Sequence, residues 1–384
     1  MHLCECMSIC PILFARFIVW FFPCIGRHKR HFKLPLVAQL QSCRSKRGGY
    51  WSDIDKSEID TRESFYTFLG LGDQGIDDLV RFVHRLAENM NRKGQVPARW
   101  LSHWWKKEKP HYRSKIKEVP VVDSNIYFLI LVWKLHEKKP GAIKDLYLTA
   151  QRAFKWLEKH IADDTFYEPV DSSWDTTSEH NGSLLLTNVL MIKAIHSMEL
   201  IALVHKDTQT KDRCIKLHGK FIEKWQPELY RTQEVLPRIL ALYWHILPTT
   251  FLMSFNQELK DSWIPLRTDG PLQTIKTTRS WLRGRDDMHS DIIWPFVGFL
   301  WIIVLAKSMK RELANHWWDN YLEFHAPMTI HNMYDSTTGK PIRRAFLRST
   351  SMHAAGLSLY FAAKNALNDM ENSITALDWS EIPV

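Results

Sequence analysis

The sequence predicts an all-α fold in which paired helices close into a ring. Beyond residue 60, helical spacing dominates and strand alternation is scarce. Very apolar helices also tend to be followed by amphipathic ones. A helix that is hydrophobic on every side must be buried on every side. An inner ring of such helices, wrapped by an outer amphipathic ring, meets that requirement. About ten to twelve helices fit the chain, near the complement of a complete (α/α)6 toroid, with an incomplete first hairpin left open. An undifferentiated helical bundle is the simpler alternative.

The chain divides at residue 60. Residues 1–60 read as an N-terminal extension with a short apolar segment and a polar, basic connector over 26–60. The apolar run 11–25 is interrupted by Arg16 and Pro23 and followed by Arg27, Lys29, Arg30 and Lys33. It is shorter than the roughly 20 residues that span a bilayer. Its charge follows the apolar stretch, the reverse of a secretory signal. An extension unrelated to the fold, a membrane anchor and a first barrel helix all remain open. Any membrane association would run through 11–25, and the body of the chain reads as cytoplasmic.

Residues 61–384 read as the toroid. Residues 76–91 place Ile76, Leu79, Val80, Val83, Leu86 and Ala87 on one face, at spacings of three and four. Residues 124–137 and 142–161 form the next pair across a Lys-Lys-Pro-Gly turn. The 184–204 segment is apolar nearly all round, and 208–224 is amphipathic. Residues 235–256 and 292–307 are again very apolar, 309–324 is polar and aromatic, and 346–366 is apolar. His196 and His245, inside apolar stretches, read as core histidines.

Composition narrows the function. Lys plus Arg (51) exceeds Asp plus Glu (42). The excess sits in local runs, one of them a presumed loop carrying Lys106, Lys107, Lys109, Arg113, Lys115 and Lys117. No basic stripe lies on a nucleic-acid-binding module, so nucleic acid is excluded as a partner. Five of the six Cys precede residue 44, which rules out a disulfide framework or a Cys-based zinc centre for the body. No cofactor and no metal set is read. The 17 Trp and 11 Tyr are mostly core material. A surplus of such rings also suits a sugar site, where ring faces stack on pyranoses.

Five short stretches in fixed order then carry a resemblance. Thr61-Arg62-Glu63-Ser64-Phe65 resembles the Arg-Asp-Ser-Phe opening of a helix in amylo-alpha-1,6-glucosidase-type glycogen-debranching domains. Val121-Val122-Asp123-Ser124-Asn125 is similar to the Val-Asp-Ser/Ala-Asn element of those domains and of alkaline/neutral invertases. Ser173-Trp174-Asp175-Thr176 with Gly182 and Thr187-Asn188 resembles Trp-x-Asp…Gly-x-x-x-Tyr-Thr-Asn. His289-Ser290-Asp291 with Trp294-Pro295 resembles His-Asn-Gly-x-x-Trp-Pro. Asn332-Met333-Tyr334-Asp335 with Gly339 and Pro341 resembles Glu-x-Tyr-Asp-x-x-Thr-Gly-x-Pro. Across residues 60–365 the chain thus resembles the six-hairpin glycosidases, and the resemblance implies an (α/α)6 toroid that hydrolyses glycosidic bonds.

Inverting hydrolysis needs a carboxylic acid for the leaving oxygen and a carboxylate for water, about 6.5–9.5 Å apart. Asp175 is the expected acid, since an indole beside it desolvates the carboxyl and raises its pKa. Counted from Gly182, the family's acid position falls on Thr176, and Glu179 is the second candidate. The resemblance puts the family's base at Asn332, a carboxamide that cannot accept a proton, and losing general-base help costs about 10²–10⁴ in rate. Asp335, Glu323 and Asp291 are the replacement carboxylates, Asp291 also reading as a helix cap. Arg62, Asp123, Asn125, Asn188, His289 and Asn332 suit hydroxyl recognition, and Trp174, Trp294 and Tyr334 offer stacking faces. Three functions follow: an inverting glycosidase on alpha-linked glucosides, a catalytically weakened sugar-binding relative, and a sugar 2-epimerase on the same fold. Sugar, linkage and oligomeric state are not encoded legibly.

Overall fold

The computed structural model describes residues 35–51, 58–103, 106–113, 119–169, 184–232, 234–260, 292–324, 330–331, 334–335, 339–341, 343–344, 347–348 and 353–378. The apolar run 11–25 lies outside them. Within them the helices are α1 (Leu36–Ser42), α2 (Thr61–Leu71), α3 (Ile76–Glu88), α4 (Asp123–Lys138), α5 (Tyr147–Glu158) and α6 (Leu185–Val204). They continue with α7 (Thr208–Arg231), α8 (Val235–Tyr243), α9 (Phe251–Lys260), α10 (Pro295–Lys307), α11 (Arg311–Phe324) and α12 (Ala354–Asp378).

The even-numbered helices form the inner ring. In order, α2 packs on α4, α4 on α6, α6 on α8, α8 on α10 and α10 on α12, and α12 returns to α2 to close the circle. The predicted all-α (α/α)6 toroid is therefore the observed fold. The seven-residue α1, inside the stretch read as a connector, packs on α12. Inner helices are apolar all round for the reason the sequence suggested: every residue of α10 from Pro295 to Ala306 is buried. Helix α6 is long and apolar enough to cross a membrane, but its neighbours on the ring and α7 cover it.

Backbones approach closely where the ring closes. A Cβ added at Gly70 of α2 would stand 2.5 Å from the Ser358 carbonyl carbon of α12. One added at Gly298 of α10 would overlap the phenol of Tyr321 on α11. Gly298 of the Trp-Pro-Phe-Val-Gly stretch is thus a packing glycine that lets an outer tyrosine lie against the inner ring.

Several sequence expectations are corrected. The apolar stretch 235–256 is two helices, not one. His245 adopts a positive φ of 59° and Pro248 follows, so the chain turns before α9 begins. His245 is exposed rather than core, and His196 is only partly buried. The presumed basic loop at 106–117 contains a strand. Strands β1 (Glu58–Asp60), β2 (Arg99–His103) and β3 (Lys106–His111) form an antiparallel sheet with the register Ile59↔Trp100 and Leu101↔Lys109. Arg85 of α3 secures it: the guanidinium lies 4.2 Å over the Trp100 ring and donates to Glu108 at 2.8 Å.

Because each outer helix returns the chain, all inner helices run in one direction. Their C-terminal ends connect to outer helices through short turns such as 72–75, 205–207 and 308–310. Longer connections over 89–122, 159–184, 261–294 and 325–353 lead into their N-terminal ends. The turn at 205–207 is held by Asp207, which caps α7 by accepting from Thr210 N at 2.9 Å. It also accepts from Tyr147 Oη, Gln151 Nε2 and Thr210 Oγ1.

Two outcomes follow. Gly298→Ala should destabilise by about 1–3 kcal/mol through overpacking, read as a lowered Tm. Hydrogen bonds, first that from the Thr210 backbone, hold the Asp207 carboxyl down at about 2. A folded pKa below the unfolded one gives its full stabilisation above the unfolded value, about 3.9, and loses it as pH falls through the folded value. The stability advantage of the native chain over Asp207→Asn should be full above that value and vanish as pH falls towards about 2, as urea denaturation would record.

Candidate functional site

The N-terminal ends of the inner helices converge at one mouth of the ring, and described polar residues gather there. Asp60 starts α2, its Oδ1 accepting from Arg62 N at 2.8 Å and Glu63 N at 3.3 Å. With its backbone so fixed, Arg62 reaches the first residue of α4. Its Nη2 and Nε donate to Asp123 Oδ2 at 2.6 and 3.1 Å. The Arg62 side chain is 17% exposed and that of Asp123 4%, so the ion pair is largely buried where α2 and α4 begin.

The ion pair rests on a tyrosine layer. Tyr66 and Tyr127 stand one turn below Arg62 and Asp123, with ring centroids 6.3 Å apart. Burial pushes both phenols well above their ordinary range, so they act as neutral partners. Burial alone would lower the Arg62 pKa, but Asp123 more than offsets it and the guanidinium stays charged. Burial also raises the Asp123 carboxyl, while Arg62 and the Ser124 backbone pull it back. Two charge-assisted bonds onto one oxygen hold that carboxyl as an anion at neutral pH.

Beside this pair, Glu63 and His353 meet across 290 residues of chain, His353 Nε2–H donating to Glu63 Oε2 at 2.5 Å. The His353 Nδ1 accepts from Gly356 N at 3.2 Å, which assigns the proton to Nε2. Sequence reasoning missed both residues as site members. The available signals were an acidic residue beside Arg62 and a histidine immediately before an apolar helix.

Aromatic residues complete the described wall. Trp294 precedes α10, and its ring lies 6.1 Å from Phe296, which lies 4.9 Å from Tyr66. Strand β4 (Ile292–Ile293) pairs with β5 (Tyr334–Asp335) in the register Ile292↔Asp335 and Ile293↔Tyr334. That pairing brings the Trp-Pro and Tyr-Asp motifs together across a gap of forty residues. Tyr334 is buried and its Oη accepts from His331 N at 3.1 Å.

Asn125 and Asn188 behave alike and differently from Arg62. Both are fully buried. Asn125 accepts from Val96 N and donates to Gly94 O and Ala153 O. Asn188 accepts from Phe166 N and donates to Phe166 O and Leu184 O. Each clamps the loop before its own helix, so these amides shape the mouth from behind. Trp174, Asp175, Glu179, His289, Asp291 and Asn332 lie outside the described residues. Glu323 stands on the outer helix α11.

Removing one partner of the buried ion pair strands the other charge. Asp123→Asn or Arg62→Met should each cost about 3–5 kcal/mol, while the paired change Arg62→Met with Asp123→Leu recovers much of the loss. A double-mutant cycle by chemical denaturation reads this directly.

No family profile and no curated protein matches the sequence. Solved structures do match in shape. A GH63 mannosylglycerate hydrolase from Thermus thermophilus, in complex with glucose, superposes with a TM-score of 0.61 at 12% identity, covering 86% of this chain and 98% of that one. A rhamnosidase from Klebsiella oxytoca with rhamnose bound gives 0.62 at 11% identity, covering 88% and 64%. A bacterial glucoamylase complexed with acarbose gives 0.60 at 11% identity, covering 87% and 55%. The chain therefore has the (α/α)6 toroid fold of the six-hairpin glycosidases.

Proposed function

We propose that this protein is a glycoside hydrolase acting on alpha-linked glucosides or oligosaccharides, with its sugar seated at the mouth where the inner helices begin. The observation that carries the reading is the Arg62–Asp123 ion pair, largely buried where α2 and α4 begin at the mouth. A fixed planar donor at the N-terminal end of two helices suits vicinal hydroxyls. Trp294, partly buried ahead of α10, bounds the same mouth, where an aromatic ring favours a pyranose face, while Tyr334, read from the sequence as a second stacking face, is buried. The shape shared with three sugar hydrolases supports the same reading.

In this reading Asp175 protonates the leaving oxygen and a second carboxylate activates water, so the anomeric configuration inverts. Asp335 is the proposed base and Glu179 the alternative acid. The β4–β5 pairing supports Asp335, because it ties that backbone to the stretch that begins α10. Arg62 holds substrate hydroxyls, and Asp123 is its positioning partner. His289, Asp291 and Asn332 complete the proposed contacts.

Asn332 favours one rival, a sugar-binding relative with weakened catalysis. The two readings separate in one experiment. Maltooligosaccharides incubated with the purified chain should release glucose of inverted anomeric configuration, read by proton NMR. Asp175→Asn should then lower kcat by about 10²–10⁴ with the fold intact. Sugar binding by calorimetry without release would favour the rival. Full turnover in Asp175→Asn would remove that residue as the acid, and neither binding nor release would overturn the sugar reading.

A further inference from the structure

The α6–α7 hairpin gathers a second set of ligand-type side chains, away from the mouth. His196 and Glu199 stand one turn apart on α6, and His218 faces them from α7. One ligand atom from each lies within 4.8 Å of the other two. The two imidazole rings are 28° from parallel with centroids 5.3 Å apart. His196 Nδ1 is buried without a hydrogen-bond partner among the described residues. The Glu199 Oε2 is the facing carboxylate oxygen, 3.6 Å away and beyond hydrogen-bonding range. Packing alone leaves that nitrogen unused, and a cation between the groups would satisfy it.

We propose that His196, Glu199 and His218 bind a divalent transition-metal ion of the zinc type. Two imidazoles and one carboxylate are a donor set that zinc accepts, with water in a fourth position. Ligand atoms around tetrahedral zinc stand about 3.4 Å apart, so modest side-chain rotation closes the observed spacing. All three residues are partly exposed, which leaves a path for the ion and for that water. Lys193, one turn before His196, is the opposing charge, and Glu137 and Tyr243 act on it from α4 and α8. Glu199 supplies the counter-charge within the site.

His196 lies eleven residues into α6, roughly 17 Å along the helix from the mouth. An ion there joins an inner helix to its outer partner and takes no part in sugar chemistry. The proposal is therefore independent of the glycosidase reading.

The test uses the full chain stripped with a chelator and titrated with Zn²⁺ by calorimetry, with Co²⁺ absorption as a second reading. One equivalent should bind, Mg²⁺ should not compete, and Tm should rise with zinc. His218→Ala, His196→Ala and the milder Glu199→Gln should each weaken binding by at least about tenfold. His245→Ala, at an exposed turn, should leave affinity unchanged. No zinc binding, or binding that survives all three ligand substitutions with circular dichroism unchanged, overturns the proposal.

Discussion

Helices with no polar face cannot sit at a protein surface, and much of this fold follows from that constraint. Helix α10 is buried from Pro295 to Ala306, so neighbours must cover it on every side. A closed circle of such helices inside a jacket of amphipathic ones provides that cover. Closure requires α12 to meet α2, and Gly70 permits it because any side chain there would strike the Ser358 backbone. Helix α1 then packs on α12. The seam of the ring thus depends on residues more than 280 positions apart.

Closure also gives the molecule a direction. All inner helices point their N-terminal ends to one mouth, where unpaired backbone N–H groups and helix dipoles favour electron-rich groups. The polar residues placed there are not a loose collection. Asp60 fixes the start of α2, Arg62 reaches Asp123 at the start of α4, and Glu63 reaches His353 at the start of α12. Three inner helices are therefore tied near their first residues, by the Arg62–Asp123 ion pair and the His353–Glu63 hydrogen bond. Directly below, Phe65, Tyr66, Tyr127 and Phe296 form a continuous aromatic layer. A rigid floor of this kind holds a donor such as Arg62 in one orientation, which is what recognition of a hydroxyl pattern needs.

Much of this architecture was legible because burial writes itself into residue type. The apolar 184–204 and amphipathic 208–224 stretches gave an inner and an outer helix directly. The five motif stretches fall where inner helices begin or lead into them, so local sequence also located the mouth. Other features were not legible, for physical reasons. The β1–β2–β3 sheet includes a strand of Lys, Glu and Pro whose stability comes from Arg85 and Trp100 rather than from alternation. The break between α8 and α9 rests on a single backbone angle at His245. A short helix inside a polar stretch, α1, is stabilised by its partner α12 and not by its own pattern. Asn125 and Arg62 are both plausible ligands by type, and only their partners, loop backbone against the Asp123 carboxylate, tell them apart. The Glu63–His353 contact joins opposite ends of the chain and leaves no local trace.

The account centres on a sugar held at the N-terminal mouth of the ring against Arg62. A crystal structure of the chain soaked with glucose or acarbose tests that most directly. The account predicts a pyranose between the starts of α2, α4 and α10, with a hydroxyl within hydrogen-bond distance of the Arg62 guanidinium. Density for the sugar at the opposite end of the ring, or a mouth that stays empty at saturating ligand, would contradict it.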